Sequence, residues 1–232
     1  MATLTVLRSR VSKRLGLDET ASGTEETLVT YELNDAVRDF LLRTRANVNR
    51  ASITISVETD DLDTSTNILA LLNISVTGTD SQQWLPERTS PTEILRMRRA
   101  SSVTTGGVAR FYASQGNSML MFYPPLGVNA VVTIYYVPRP TEMSTGAHDP
   151  SNETYGGIPV EYHPALIEYA AWKMADYDDD SSSDMGLRYQ AQYERLVKQA
   201  IKNIRGKGGR ALGRVVVGRR GPVRTSASQD IW

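Results

Sequence analysis

Residues 130–140 read AVVTIYYVPRP, and this stretch decides the fold class. Every residue from Val131 to Val137 is β-branched or aromatic, which is typical of a buried strand. Pro138 and Pro140 end the strand, because proline has no amide proton to give to a sheet ladder. From Pro164 onward, the apolar residues recur at helical spacing. Strands and helices therefore occupy separate stretches of the chain, which predicts an α+β fold.

The first 50 residues predict a helix hairpin. Apolar residues at helical spacing run from Leu4 to Leu15 and stop at Gly16, and glycine commonly ends a helix. Ser22 and Glu25 have the spacing of a capping box, which predicts the start of a second, longer helix. Neither apolar stripe is stable in water alone, so we expect the two helices to pack together. The second stripe comprises Val29, Leu33, Val37, Phe40, Leu41, Thr44 and Val48.

Residues 51–140 predict an antiparallel β domain, a barrel or sandwich inserted between the helices. Alternating apolar residues predict a strand at residues 53–57, and an apolar run predicts another at residues 68–76, with Asp60, Asp61 and Asp63 in the turn that joins them. The other predicted elements are a short helix that starts at Ser90-Pro91, with Glu93 completing the cap, and a meander of three strands, Ala109–Ser114, Ser118–Tyr123 and Ala130–Val137, with turns at residues 115–117 and 124–127.

Two more helices are predicted within residues 141–206, after a polar loop. The first runs from Pro164 to Tyr177, and the acidic run Asp178–Asp184 is the predicted turn after it. The second is predicted to stop at Gly206. With the N-terminal pair they predict a bundle of about four helices. The last stripe comprises Tyr189, Tyr193, Leu196, Val197, Ala200, Ile201 and Ile204.

The composition of the 232 residues excludes several classes of site. There is no cysteine, and therefore no disulfide, cysteine-ligated zinc or thiol nucleophile. The apolar runs are far shorter than the ~18 residues of a membrane span. Neither His148 nor His163 lies in a pattern that pairs a base with a nucleophile, and for His163 we expect a cap or surface role. We predict a protein that is not an enzyme and that needs no metal, cofactor or membrane.

Two weaker patterns have alternative interpretations. The run Asp178–Asp180 with Asp184 offers oxygen ligands for Mg²⁺ or Ca²⁺, as in an enzyme, but a solvated turn that caps the next helix is favoured. An aromatic cluster beside Arg110 and Arg139 offers rings for base stacking, but alternate rings on adjacent strands face the core, so core packing is favoured. The cluster comprises Phe111, Tyr112, Phe122, Tyr123, Tyr135 and Tyr136.

The net charge of zero conceals an unequal distribution. From Arg195 to the last residue there are ten Lys or Arg and one acid, Asp230, a charge of +9. The first 194 residues therefore carry −9. Residues 207–232 hold too little apolar surface to offset their chain entropy alone. We predict an acidic body and an extended basic tail, residues 207–232, that becomes ordered on a partner.

The tail has the pattern of a docking strand. Val215–Val217 is a β-branched trio between Arg214 and Arg219, and a segment of this kind adds to the edge of a partner's sheet. Its arginines would pair with acidic groups of that partner. The charge of +9 on residues 195–232 also binds phosphate, so nucleic acid is the alternative partner. The predicted partner-binding residues are Arg210, Arg214, Val215, Val216, Val217, Arg219, Arg220, Arg224, Ile231 and Trp232.

Four short sequences follow one another in this order of elements: FYPP at 122–125, VTIYYVPRP at 132–140, IP at 158–159 and YHPAL at 162–166. A tyrosine-rich helix comes after them. With the helix hairpin and the β segment that precede them, they resemble the head-to-tail adaptor, or connector, proteins of tailed bacteriophages over about residues 24–205. The β region, residues 51–137, is larger than in the small, mainly helical adaptors.

The resemblance implies a structural protein of the virion neck, assembled in the host cytoplasm. It implies a homo-oligomeric ring of twelve copies beneath the portal protein, in passing contact with the double-stranded DNA of the channel. It also implies a platform for tail or nozzle proteins and a C-terminal tail that reaches the portal. The alternative, based on the tail's charge, is a nucleic-acid-binding accessory protein.

Overall fold

The computed structural model describes residues 2–17, 24–64, 67–79, 81–100, 108–116, 118–177 and 183–208 of the chain. These residues divide into two compact units. One unit is helical and combines residues 2–48 with residues 137–208; the other consists mainly of strands and spans Asn49–Tyr136. The predicted α+β class is confirmed.

The described residues form five helices, four of which belong to the helical unit. In the helical unit, the fourth helix of the chain contacts each of the other three, so it is the centre of the bundle. None of the described helices has both the length and the hydropathy that a membrane span requires. The helices are α1 (Leu4–Leu15), α2 (Thr24–Thr44), α3 (Pro91–Ala100), α4 (His163–Tyr177) and α5 (Ser183–Gly208), and α3 is the one in the β unit.

Helix α1 shows why a short helix is stable here. Its apolar side chains Leu4, Leu7 and Val11 are buried, and each such burial contributes about 1.5–3 kcal/mol. Its first amides are satisfied by a loop, because Leu4 N–H donates to the carbonyl of His148 at 2.7 Å and Thr5 N–H to that of Gly146 at 3.2 Å. It ends as predicted at Gly16, which adopts a left-handed conformation with φ 70°.

Helix α2 is shorter than its apolar stripe predicts. It ends at Thr44, because Arg45 turns into the left-handed region with φ 55°. Val48 is therefore not on the helix and is exposed. The predicted cap residue Ser22 lies outside the described residues, which resume at Thr24.

Eight strands form two four-stranded sheets rather than a closed barrel among the described residues. The pairs that join the first strand to the eighth, the second to the seventh and the sixth to the seventh are antiparallel, and the fifth pairs with the sixth in parallel. The strands are β1 (Asn49–Thr54), β2 (Thr59–Asp63), β3 (Ile68–Thr77), β4 (Gln83–Trp84), β5 (Glu87–Arg88), β6 (Phe111–Gln115), β7 (Met119–Leu126) and β8 (Val131–Pro138), ordered β1-β8-β3-β4 and β2-β7-β6-β5.

The two sheets share one core, as in a sandwich. Side chains from both sheets belong to the same buried cluster, for example Ile74 and Ile134 from the first sheet and Leu120 and Phe122 from the second. Three rings of the predicted aromatic cluster, Tyr112, Phe122 and Tyr136, also belong to it. Phe111 and Tyr123 pack on a smaller cluster with Ile94 of α3. The prediction of core packing is confirmed for these five rings.

Four details of the β prediction are wrong. The strand predicted at residues 53–57 lies earlier in the chain, since β1 runs from Asn49 to Thr54. Asp60, Asp61 and Asp63 lie in strand β2, not in a turn. The three last strands are not a meander, because β7 and β8 belong to different sheets. The predicted turn at residues 124–127 is largely strand, since β7 continues to Leu126.

The prolines in β7 are tolerated because they lie where its ladders are interrupted. The pairing of β6 with β7 ends at Tyr123, and the register of β2 shifts between Leu126 and Met121. Pro124 and Pro125 fall within that gap, where no amide proton is required. Local sequence signals a turn at two adjacent prolines, whereas the sandwich core keeps Leu126 buried and the strand extended.

Candidate functional site

The ten predicted partner-binding residues all lie between residues 210 and 232, outside the described residues. The helix that leads to them, α5, is described to Gly208. Helix α5 is therefore the described part of the candidate docking site. Three of its properties matter: its position, the contacts that anchor it and its exposed charges. The acidic residues Asp178–Asp180 also lie outside the described residues, and Asp184 occupies the first turn of α5.

One face of α5 carries a row of exposed bases. Arg188, Arg195 and Lys202 are seven residues apart, a spacing that places them on one side of a helix. Lys198 is exposed beside them. Arg188, Arg195 and Lys202 form no salt bridge within the described part of the chain. The row therefore presents positive charge to solvent over about 21 Å, the rise of fourteen residues.

The opposite face of α5 is tied to α2 by a polar cluster. Arg43 donates two hydrogen bonds to the Glu194 carboxylate, at 2.7 and 2.6 Å, and lies over the ring of Tyr193, 5.4 Å from its centroid. The Tyr193 hydroxyl donates to Asp39. Two-point contacts between arginine and carboxylate fix orientation as well as distance. The cluster thus sets the rotation of α5 and, with it, the direction of the basic row.

The ionisation of this cluster is fixed by its surroundings. Burial, supported by the hydrogen bond to Asp39, raises the pKa of Tyr193 well above its usual value. Burial also raises the pKa of Tyr169 to about 12, and the two rings meet edge to face at 5.1 Å. The hydrogen bond from Arg43 lowers the pKa of Glu194. Both phenols are therefore neutral near pH 7, and the Glu194 carboxylate is a charged partner of Arg43.

A second basic face belongs to α1. Arg14 donates to the carboxylate of Glu168 at 2.8 Å, and the Tyr189 hydroxyl of α5 donates to the carbonyl of Arg14 at 2.7 Å. Burial raises the pKa of Glu168, and Arg14 opposes that shift. These contacts hold α1, α4 and α5 together beside a cavity of about 360 Å³ lined by Arg10, Lys13, Arg14, Pro164, Ile167 and Glu168.

Both histidines have structural positions. His148 accepts hydrogen bonds at Nδ1 from the amides of Ser144 and Thr145, at 3.1 and 3.4 Å. His163 starts α4 as predicted, but the expectation that it is a surface residue is wrong, because it is buried. Its Nε2 lies 3.0 Å from the carbonyl oxygen of Ile158, to which it donates. Within the described residues, no group of three or more possible metal ligands comes together.

Sequence reasoning missed the cluster that anchors α5. Tyr193 was part of the predicted apolar stripe, but nothing in the spacing of Asp39, Arg43 and Glu194 indicated that they meet. Asp39 and Arg43 are four residues apart and so share a face of α2, which was the available signal. Their partner on α5 is about 150 residues away, and only the packing of the bundle selects it.

The family model of the SU10 adaptor protein matches residues 2–225. The chain belongs to the SU10 adaptor protein family. The predicted resemblance to phage head-to-tail adaptors is thereby confirmed, and the chain is a structural protein of this type. The match includes both units and the basic tail as far as residue 225.

Two further comparisons complete the description of this adaptor. No curated protein matches it. A chain of a structure described as the neck of an empty GTA particle, computed with C6 symmetry, is 14% identical to the adaptor. The alignment covers 80% of the adaptor and 87% of that chain, with a TM-score of 0.27. The family assignment rests on the family model alone.

Proposed function

We propose that copies of this chain form a closed ring in the virion neck, beneath the portal protein, that continues the DNA channel and gives tail proteins a platform. The observation that carries this proposal is the family match over residues 2–225. Because the match includes the helical unit, the β unit and most of the basic tail, all three parts are expected to serve one assembly.

The surface of the helical unit supports a ring. In a ring each copy joins its neighbours through two different patches, and such patches need apolar contact area. Helix α2 exposes Tyr31 and Leu42, which are eleven residues apart and so lie on one side of the helix. Helix α5 exposes Met185 and Leu187 near its start. Tyr31 and Leu187 are 59% and 58% exposed, so each offers apolar area to a neighbouring copy.

The basic tail supports attachment to the portal. It follows α5 directly, and α5 is held in a defined orientation by Arg43 and Glu194. The exposed bases of α5 extend the positive charge of the tail back along the helix. A partner with an acidic surface would pair with both, and we propose that this partner is the portal protein.

Oligomer size tests the proposed ring. The double variant Tyr31→Ala and Leu42→Ala should shift the purified chain from a ring toward monomers in mass photometry and electron microscopy, because it removes the apolar contact of one patch. The control is Gln199→Ala, an exposed polar position on α5. Rings formed equally well by the double variant would contradict this interface, and a chain that never forms rings, with or without the portal, would contradict the function.

Nucleic-acid binding is a second candidate, favoured by the basic row of α5. A protein that binds phosphate loses affinity steeply as salt is added, because each contact releases a counterion. Titration of the chain with duplex DNA at increasing salt distinguishes the two functions. Tight, steeply salt-dependent binding of DNA with no affinity for portal would favour this candidate over the adaptor ring.

A further inference from the structure

The sandwich has four terminal strands, and three of them are unsuited to pairing with another chain. Strands β4 and β5 are two residues long. Strand β2 contains a register shift and three aspartates, all of which discourage pairing. The hydroxyl of Thr59 also forms hydrogen bonds with the backbone of Asp61: it donates to the carbonyl at 2.6 Å and accepts from the amide at 3.3 Å. These backbone groups of Asp61 are therefore already partnered.

Strand β1 differs from the other three. It pairs with β8 over six consecutive residues, Asn49 to Thr54, without a register shift. It contains no proline, and none of its residues puts a charge into the core. Natural proteins usually blunt such an edge, because an exposed regular strand recruits other strands. An edge that is left regular in an assembly protein is therefore expected to have a partner.

The alternation of hydrogen bonds along β1 shows which of its backbone amides and carbonyls point away from β8. The amide of Ile55 donates to the carbonyl of Ala130 at 2.9 Å and its carbonyl accepts from the amide of Asn129 at 2.8 Å, so both backbone groups of Ile55 face the β8 side. In an antiparallel ladder such residues alternate with residues that face away, so Ala51 and Ile53 also bond to β8. Arg50, Ser52 and Thr54 then direct their amides and carbonyls away from β8. All three residues are exposed, and no other described strand pairs with β1.

The side chains of β1 define what kind of strand fits. On the core side, Ala51 and Ile53 are only partly buried against the sandwich core. An added strand with apolar residues at alternate positions would complete their burial. On the outer side, the charged group is Arg50, whose guanidinium lies 5.9 Å from the ring centroid of Tyr135. A carboxylate on the added strand would pair with it.

We propose that β1 is a strand-addition site for an extended segment of a tail protein, with alternating apolar residues and an acid beside Arg50. The inference rests on the proposed role as a platform for tail proteins. The basic tail of this chain is a poorer occupant, because Arg214 and Arg219 would meet Arg50. A second copy paired through β1 is also a poorer occupant, because two identical edges form a twofold dimer, which does not propagate around a ring.

Amide hydrogen exchange on the full chain tests the proposal. In the free chain, the amides of Arg50, Ser52 and Thr54 should exchange rapidly while those of Ala51 and Ile53 are protected. In tailed particles, exchange of the first three should slow by about tenfold or more, because each gains a backbone hydrogen bond. Protection of these amides in the free chain, or no change in tailed particles, would overturn the proposal.

A matched pair of variants gives an independent readout. Ser52→Pro removes an outward amide without breaking the ladder to β8, and proline is tolerated at such edge positions. Ser52→Ala keeps the amide. We expect the proline variant to form rings and bind portal normally but to attach tail proteins about tenfold less, and the alanine variant to attach them normally. Normal tail attachment by Ser52→Pro would overturn the proposal.

Ring formation and portal binding are measured separately by electron microscopy, so a failure of the adaptor function is distinguishable from a failure of the β1 site. If Ser52→Pro does not fold, the exchange of the unmodified chain still decides the question.

Discussion

At the scale of single residues, the buried polar groups depend most strongly on the tertiary structure. His163 donates from Nε2 to Ile158, and its Nδ1 is buried without a hydrogen bond partner among the described residues. Burial lowers the pKa of His163, although the Ile158 carbonyl and Asp149 oppose that shift. The neutral ring is therefore the form that the folded protein accommodates.

This makes stability depend on pH in a defined direction. A group whose pKa is lower in the folded than in the unfolded state stabilises the fold fully above its unfolded value, about 6.5 for histidine, and this contribution is lost as the pH falls through the folded pKa. We expect the free energy of unfolding of the chain to fall between pH 7 and 5 more steeply than that of His163→Gln, which keeps a donor and cannot titrate. An equal pH dependence of the unfolding free energy in the two proteins, measured by urea denaturation, would contradict this.

The side chain of Asn34 satisfies the backbone of Met143. Its buried amide donates to the carbonyl of Met143 at 3.1 Å and accepts from the amide of Met143 at 2.8 Å. Asn34→Ala leaves both backbone groups buried without partners, which should cost about 1–3 kcal/mol for each unsatisfied group. Asn203→Ala, at an exposed position of α5, is the control and should change stability little. Chemical denaturation measures both, and an equal, small effect would contradict the assigned role of Asn34.

At the scale of elements, α3 is attached to the second sheet by the apolar packing of Ile94 and by one arginine. Arg98 contacts Asp60 and Asp61 of β2 at 3.2 and 2.8 Å and donates to the carbonyls of Asp60 and Phe122 at 2.6 and 3.3 Å. It thus bridges β2 and β7 beside the register shift in their ladder. This contact gives Asp60 and Asp61 a cationic partner, which is how a strand can hold two adjacent aspartates.

Replacing Arg98 should therefore loosen the attachment of α3. Arg98→Met removes the partner of two carboxylates and of two carbonyl groups, and we expect a loss of about 1–3 kcal/mol, together with faster amide exchange in α3. Arg96→Met is the matched control, because within the described part of the chain Arg96 pairs only with Glu93 of the same helix, and it is largely exposed. A melting temperature equally unaffected in both variants would show that Arg98 is not the anchor.

At the scale of the whole molecule, the division of charge predicts separate roles for body and tail. Deletion of residues 209–232 keeps all described elements, so we expect unchanged circular dichroism and melting temperature and intact rings, but loss of portal binding. A control with Val215, Val216 and Val217 changed to serine keeps the charge of +9 on residues 195–232 and should also bind portal poorly if docking needs a strand. A lowered melting temperature of the truncated chain would indicate that the tail packs on its own body.

Much of the fold was predictable because it depends on local patterns. The helices α1, α3 and α4 start and end within a few residues of their predicted limits, since caps such as Gly16 and Ser90 act within one turn. Glu93 N–H donates to the Ser90 hydroxyl oxygen at 3.2 Å, the predicted cap. Apolar and aromatic runs likewise located β3, β6, β7 and β8, whereas the alternation at residues 53–57 overlaps only the end of β1, Asn49–Thr54.

What the sequence by itself determined was the α+β class, the bundle of four helices, the sandwich as one of two β architectures, and the separation of charge between body and tail. Only the tertiary structure decided which strands are neighbours, where the aspartates of β2 point, and which of the four terminal strands is long, regular and without a further strand partner among the described residues. The physical reason is the separation along the chain of the residues that interact. Caps, turns and apolar periods act within a few residues. Strand partners and ion pairs such as Arg43 with Glu194, in contrast, are selected by packing between residues far apart in the chain.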